Sequence, residues 1–221
     1  MTLTLLLALA VPEPVALVDV STLDSRWELD IRYATRDNFT GQVLYPVARC
    51  LLRREVASML VKAQAYLDEH HPGYVFRLKD CYRPRSVQRK MWEMVKGTPS
   101  QSYVANPWSK TGSVHNYGCA VDLTLNGPDG NEVDMGTPYD SFLKLSQPRH
   151  EAQYLAEGKL SAEQVQHRKR LRSAMTEAGF KIIRNEWWHF DAWQGPALRK
   201  RYQILDIPLT SPEIEGSSTV E

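Results

Sequence analysis

Three things are scarce in this 221-residue chain, and each absence narrows the field. No stretch reaches the roughly 18 apolar residues that a membrane-spanning helix needs, so no membrane span is expected. Neither sign of charge dominates: 27 Lys and Arg stand against 26 Asp and Glu. The footprint of a nucleic-acid partner is therefore missing. The basic clusters Arg53-Arg54 and His167-Arg168-Lys169-Arg170 read as solvated faces. Cysteine is also scarce. Cys50, Cys81 and Cys119 lack C-x-x-C spacing, which argues against a cysteine-held metal. Internal repeats and low-complexity segments are absent from the middle of the chain.

What is present is ordinary globular material, 43% hydrophobic and 24% charged. One domain over residues 16–209 is expected. Residues 1–15 carry a short apolar run, Leu3 to Val11, with Ala8-Leu9-Ala10 in a small-x-small arrangement before Pro12-Glu13-Pro14. Two readings stand: a truncated export signal, or an apolar arm packed on the domain. Export, to the periplasm or its equivalent, is favoured over a cytoplasmic location. Export would let Cys50 and Cys81 pair and leave Cys119 over; three buried thiols are the alternative. The polar tail 210–221 is expected to be disordered.

Hydrophobic periodicity supplies the elements. Val56, Met59, Leu60, Ala63 and Leu67 predict a helix over 54–69, ended by Pro72-Gly73. Tyr74 to Asp80 reads as a strand that Arg83-Pro84 breaks, and a second helix follows from Ser86 to Lys96. Cys119 to Leu125 alternates, with Val121, Leu123 and Leu125 on one face and Asp122 and Thr124 on the other. Residues 126–158 read mostly as loop. Ser161 with Gln164 is a capping-box signature for a further helix, which Gly179 ends. Phe180 to Ile183 and Trp187 to Phe190 are expected as short strands. The sum is an α+β fold: a small antiparallel sheet flanked by helices.

Two clusters carry chemistry. In Ser113-Val114-His115-Asn116-Tyr117-Gly118-Cys119-Ala120-Val121-Asp122, a turn at Gly118 can fold His115 back onto Asp122. The second is Glu186-Trp187-Trp188-His189. On a regular strand Glu186 and His189 would face opposite ways, so Glu186 is expected to project from the preceding turn. His115, Asp122 and His189 form a ligand set that suits one Zn²⁺ and leaves a position for water, whose pKa such an ion lowers to roughly 7. Glu186 is then placed to move the water's proton. An aspartate in an apolar strand needs a cation or several donors, which makes Asp122 hard to read as structural. His70, His71, His150 and His167 look unremarkable: a helix end, a loop and a charged helix face.

These residues resemble the LAS-type zinc peptidases of cell-wall metabolism, and within them the vancomycin-resistance-type D-alanyl-D-alanine dipeptidases. The likeness runs from about Val18 to Ala192, through Tyr33-Ala34-Thr35-Arg36-Asp37-Asn38-Phe39-Thr40-Gly41, Tyr82-Arg83-Pro84, Met135-Gly136-Thr137-Pro138-Tyr139-Asp140 and Glu186-Trp187-Trp188-His189-Phe190. It implies the LAS/Hedgehog-like fold, with Arg83 stabilising the oxyanion and Asp140 gripping the free amino group of a small dipeptide substrate. Ser113 and Tyr33 either line that pocket or serve as turn and core residues. Two features depart from the family pattern. Cys119 stands where small or hydroxyl residues are common, and Phe190-Asp191-Ala192-Trp193 lacks the usual acidic-proline continuation.

Three functions follow in order of weight. The first is zinc-dependent hydrolysis of D-Ala-D-Ala or a related D-amino-acid dipeptide. The second is a carboxypeptidase or endopeptidase acting on murein peptides. The third, a non-catalytic zinc-containing module that binds cell-wall peptide, sits poorly with the presence of both Glu186 and Arg83.

Overall fold

A computed structural model describes residues 17–210. The readings for 1–15 and for the tail beyond Thr210 lie outside the described residues. In chain order the elements are β1 (Leu17–Asp19), β2 (Glu28–Leu29), β3 (Leu51–Arg53), α1 (Arg54–His70), β4 (Val75–Asp80), α2 (Arg85–Val95), β5 (Ala120–Asn126), α3 (Glu151–Ala156), α4 (Ala162–Glu177), β6 (Lys181–Ile182), β7 (His189–Asp191) and α5 (Gly195–Arg201). The fold is α+β, as expected. Five strands form one sheet in the order β2-β4-β5-β7-β6, and β1 pairs with β3 in a small ribbon.

The sheet corrects the sequence reading at one edge. β4, β5, β7 and β6 are antiparallel neighbours, but β2 runs parallel to β4. Parallel neighbours need a long crossover, usually helical, and the chain between β2 and β4 contains α1. Nothing local in Glu28-Leu29 announces that pairing.

α1 forms because Val56, Leu60, Ala63 and Leu67 recur on one face, and all four are fully buried. It packs against α4, and of the central strands α1 touches β4 while α4 touches β5. The capping box at the start of α4 is complete: Ser161 Oγ accepts from Gln164 N, and Gln164 Oε1 accepts from Ser161 N. β5 is buried along its whole length. Val121, Leu123 and Leu125 join the hydrophobic core, while Asp122 and Thr124 project to the opposite side, as strand alternation requires.

The stretch 126–158 is mostly loop, as expected, and also holds α3 and two one-turn helices, Lys144–Ser146 and Pro148–His150. One further expectation is corrected: the His167–Arg170 cluster is not a wholly solvated face, because His167 and Arg168 are buried. His167 Nδ1 lies 2.9 Å from the Asp134 carbonyl, and Arg168 donates to the Met135 and Leu145 carbonyls. Carbonyls from the loop packed on α4 give the guanidinium its partners, which is what allows a charge to sit inside.

Candidate metal centre and substrate cavity

His115 lies in a one-turn helix, Val114–Tyr117, capped by Ser113 and Asn116. Gly118 then takes a left-handed φ of 69°, and the chain turns back into β5. A Cβ there would meet the movable tip of the Leu17 side chain at 2.8 Å, so the turn needs glycine chiefly for its φ. Four residues later comes Asp122, directly across the ladder from His189 on β7. The expected convergence is present. His115 Nε2 and His189 Nδ1 are 3.1 Å apart, and Asp122 Oδ1 lies 3.2 Å from the first and 2.9 Å from the second.

The outer hydrogen bonds decide what this triad can hold. His115 Nδ1 is 2.6 Å from the Cys81 carbonyl, and His189 Nε2 is 2.8 Å from Asp191 Oδ1. A carbonyl and a carboxylate can only accept, so those nitrogens carry the protons. In the neutral rings, His115 Nε2 and His189 Nδ1 are then lone pairs facing each other and a carboxylate oxygen. Three Lewis bases at one point, each ring fixed from behind, fit a divalent metal. The charge balance agrees. Burial alone would lower the His189 pKa, but Asp191 and Asp122 outweigh it and raise it well above 6.5. Burial alone would raise Asp122, but His115 and His189 hold it well below the usual carboxylate range. The pocket is built to hold positive charge.

A cavity of about 220 Å³ opens beside the triad, lined by every expected site residue: Tyr33, Arg83, Ser113, Asp140 and Glu186 besides the three ligands. This is below the usual range for a drug-sized ligand, roughly 300–1,000 Å³, and suits a small substrate. Loops from three parts of the chain wall it with aromatic rings. Phe39 meets Phe142 at 5.2 Å between centroids, and Phe142 stacks on Tyr103 at 4.9 Å.

Similarity to known proteins agrees with this geometry. A family model described as D-ala-D-ala dipeptidase matches residues 13–207. The chain belongs to the D-ala-D-ala dipeptidase family. Membership makes it a metallopeptidase of the dipeptidase kind. Among its relatives is the D-alanyl-D-alanine dipeptidase of Escherichia coli (strain K12), 33% identical over 197 residues, covering 88% of this chain and 95% of the relative. The enzyme of that name from Enterococcus faecium is 33% identical over 181 residues, covering 75% and 84%. That from Streptomyces coelicolor is 29% identical, covering 82% and 92%.

Around this dipeptidase-family cavity the remaining residues can be placed. Glu186 sits in the segment just before β7, as strand geometry demanded. Burial pushes its carboxyl up to about 7, Asp122 adding to the rise and His189, His115 and Arg83 opposing it. Arg83 is buried. It gives Nε and Nη2 to Asp80 Oδ2 at 3.0 and 2.6 Å and Nη1 to Gln88 Oε1 at 2.8 Å. Its remaining N–H groups are what it brings to the cavity. Asp140 is the sole non-glycine residue with positive φ (59°) among the described residues. Its Oδ2 accepts from Tyr33 OH at 2.8 Å, and burial with the nearby Asp122 charge raises its pKa well above 3.8. Ser113 and Tyr33 serve both roles weighed for them. Ser113 caps the turn and lines the cavity, and Tyr33 is a core residue whose hydroxyl meets Asp140.

Cys50 and Cys81 form a disulfide, with Cα atoms 5.1 Å apart, while Cys119 is buried and free. Burial pushes the Cys119 thiol up to about 12, which makes it inert. Four contributors were not foreseen: Asp80, Gln88, Tyr139 and Asp191. Only Asp191 had a usable signal, two residues from His189 on the same face of a strand. It belongs to the stretch that departs from the family pattern.

Proposed function

We propose that this chain hydrolyses D-Ala-D-Ala, or a closely related D-amino-acid dipeptide, to free amino acids, with Zn²⁺ held by His115, Asp122 and His189. The observation that carries the reading is one small cavity lined both by a metal-ligand triad and by a half-buried carboxylate, Asp140. Zn²⁺ bound there would supply a Lewis acid able to activate water near neutral pH.

The chain's own groups do the rest. Glu186, with a carboxyl near neutrality, takes a proton from the attacking water and returns it to the leaving nitrogen as the C–N bond breaks. Arg83, its guanidinium held by Asp80 and Gln88, sets N–H donors toward the negative charge that develops on the carbonyl oxygen. Asp140 takes the substrate ammonium by a charge-assisted hydrogen bond. A cavity of this size supports dipeptides over murein chains. The Cys50–Cys81 disulfide supports an exported location, where oxidising conditions preserve such bonds.

Comparing kcat/KM for D-Ala-D-Ala with that for N-acetylated D-Ala-D-Ala, each with and without chelator, tests the whole reading. Cleavage of the free dipeptide alone, lost on chelation, is expected. Equal cleavage of the acetylated substrate would replace the reading with a carboxypeptidase or endopeptidase.

A further inference from the structure

Asp122 offers the two imidazoles only one of its oxygens, Oδ1. The other, Oδ2, accepts a hydrogen bond from Tyr139 OH at 3.1 Å. A carboxylate can only accept, so the phenol is the donor. Tyr139 immediately precedes Asp140 in the chain. Its ring stands edge-on to Trp188 at 5.5 Å and to Tyr33 at 6.4 Å, and Tyr33 in turn donates to Asp140.

The terminal torsion of an aspartate is broad and roughly two-fold, so an unsupported carboxylate can present either oxygen, or turn between them. Among the described residues nothing else holds Oδ2: the nearest guanidinium nitrogen, Arg83 Nη2, is 4.0 Å away, beyond hydrogen-bond distance. The other two ligands have their own outer partners, Cys81 O for His115 and Asp191 for His189. For Asp122 that partner is Tyr139.

We infer that Tyr139 is a positioning residue for the metal site: its hydroxyl fixes the rotation of the Asp122 carboxylate, joining the loop that grips the substrate amine to a residue that grips the metal. The inference rests on the zinc reading above and assigns Tyr139 a task in it. Asp140 reads the ammonium, and its neighbour Tyr139 braces a ligand in the wall of the same cavity. One loop thus serves both tasks.

Tyr139→Phe keeps the ring and its edge contacts and removes one oxygen, so folding should survive. Zinc affinity is read by competition with a chelator, and the ligand field by the absorption spectrum of Co²⁺-substituted protein. Asp140→Asn serves as the loop control, since Asn tolerates the left-handed conformation. Tyr139→Phe should weaken zinc binding about 10–100-fold, the usual scale for losing an outer partner, and shift the cobalt bands. Asp140→Asn should keep zinc affinity within about threefold of wild type, well short of that scale. Unchanged affinity and spectrum in Tyr139→Phe, beside a zinc-loaded wild type, would overturn the inference alone. Equal weakening in both variants would also overturn it, by assigning the effect to loop packing. Wild-type protein without stoichiometric zinc would overturn the zinc reading, and this inference with it.

Discussion

The two ends of the cavity are held in different ways. The metal end rests on a strand ladder: Asp122 and His189 face each other across β5 and β7, and His115 hangs from a capped turn closed by Gly118. Each of these three side chains has a hydrogen bond behind it. The end proposed to take the substrate amine is loop. Asp140 sits at a left-handed φ, costly for a residue with a Cβ, and its carboxyl is pushed toward the neutral form. That loop is braced from α4 by Arg168, and by Trp187 Nε1 donating to Thr137 Oγ1 at 2.9 Å. A metal site tolerates little displacement, and a ladder supplies that precision. A specificity site works by differences between substrates, and a strained loop suffices for it. Damage at the metal end should therefore abolish turnover, whereas damage at the amine end should change which substrates are taken.

The largest effects are expected at the metal end. His189→Ala removes a ligand that bonds both Asp122 and Asp191, and takes the imidazole partner from each carboxylate. Metal content by elemental analysis should fall from about one per chain to near zero, and activity with it, because a site with two donors left binds zinc far more weakly. Retention of stoichiometric zinc would remove His189 from the site. Next comes Glu186→Gln, which preserves shape but cannot accept a proton. Its kcat should drop at least roughly 10²-fold with zinc retained. Activity within a few-fold of wild type would assign the base elsewhere.

At the amine end the effect is smaller and substrate-dependent. Breaking one side of a charge-assisted bond to a desolvated ammonium costs several kcal/mol, and each 1.4 kcal/mol is tenfold. Acetylating the dipeptide amine should lower kcat/KM at least about 10²-fold in the wild type. Asp140→Ala should lose most activity on the free dipeptide and discriminate far less against the acetylated one. Asp140 and Phe39 line both the 220 Å³ cavity and an outer one of about 870 Å³. Undiminished preference for the free amine in Asp140→Ala would place the amine grip on another residue.

The contrast between the ends also explains what could be read from the sequence. His115, Gly118 and Asp122 lie within eight residues, and strand alternation governs Glu186 and His189, so local rules place each cluster, although the β5–β7 pairing that brings His189 onto Asp122 is not local. Helices α1 and α4 were legible because periodicity and the Ser161–Gln164 box are also local. The supports are not local. Arg168 meets carbonyls 33 and 23 residues away, and a run of basic residues gives no hint of them. Asp80 and Gln88 matter only once β4 and α2 are packed around Arg83. The parallel edge strand β2 is two residues long and owes its pairing to the crossover through α1. Asp140 was singled out through resemblance, and its left-handed backbone has no sequence signature.

The smallest expected effect is on stability, and it tests whether the Glu186 carboxyl is truly desolvated. Burial raises the Glu186 carboxyl from 4.5 to about 7. A raised carboxyl pKa means that the folded chain holds this proton more tightly than the unfolded chain. Below about 4.5 both states are protonated and the group makes no difference. Between about 4.5 and about 7 the unfolded chain ionises first, so stability falls as pH rises; above 7 the penalty is constant. Glutamine cannot ionise. In metal-free protein, Glu186→Gln should therefore gain in Tm relative to wild type as pH is raised through that window, then level off. Asp122, held low by the imidazoles, has the opposite pH dependence, but it is present in both proteins and largely cancels in the difference. Thermal unfolding of the two proteins at about pH 4.5, 6 and 7.5 makes the comparison. A difference in Tm that stays flat across the series would mean that Glu186 titrates as a solvated carboxyl. A rising one would show the same side chain costing stability where it serves as base, the usual relation between active sites and fold stability.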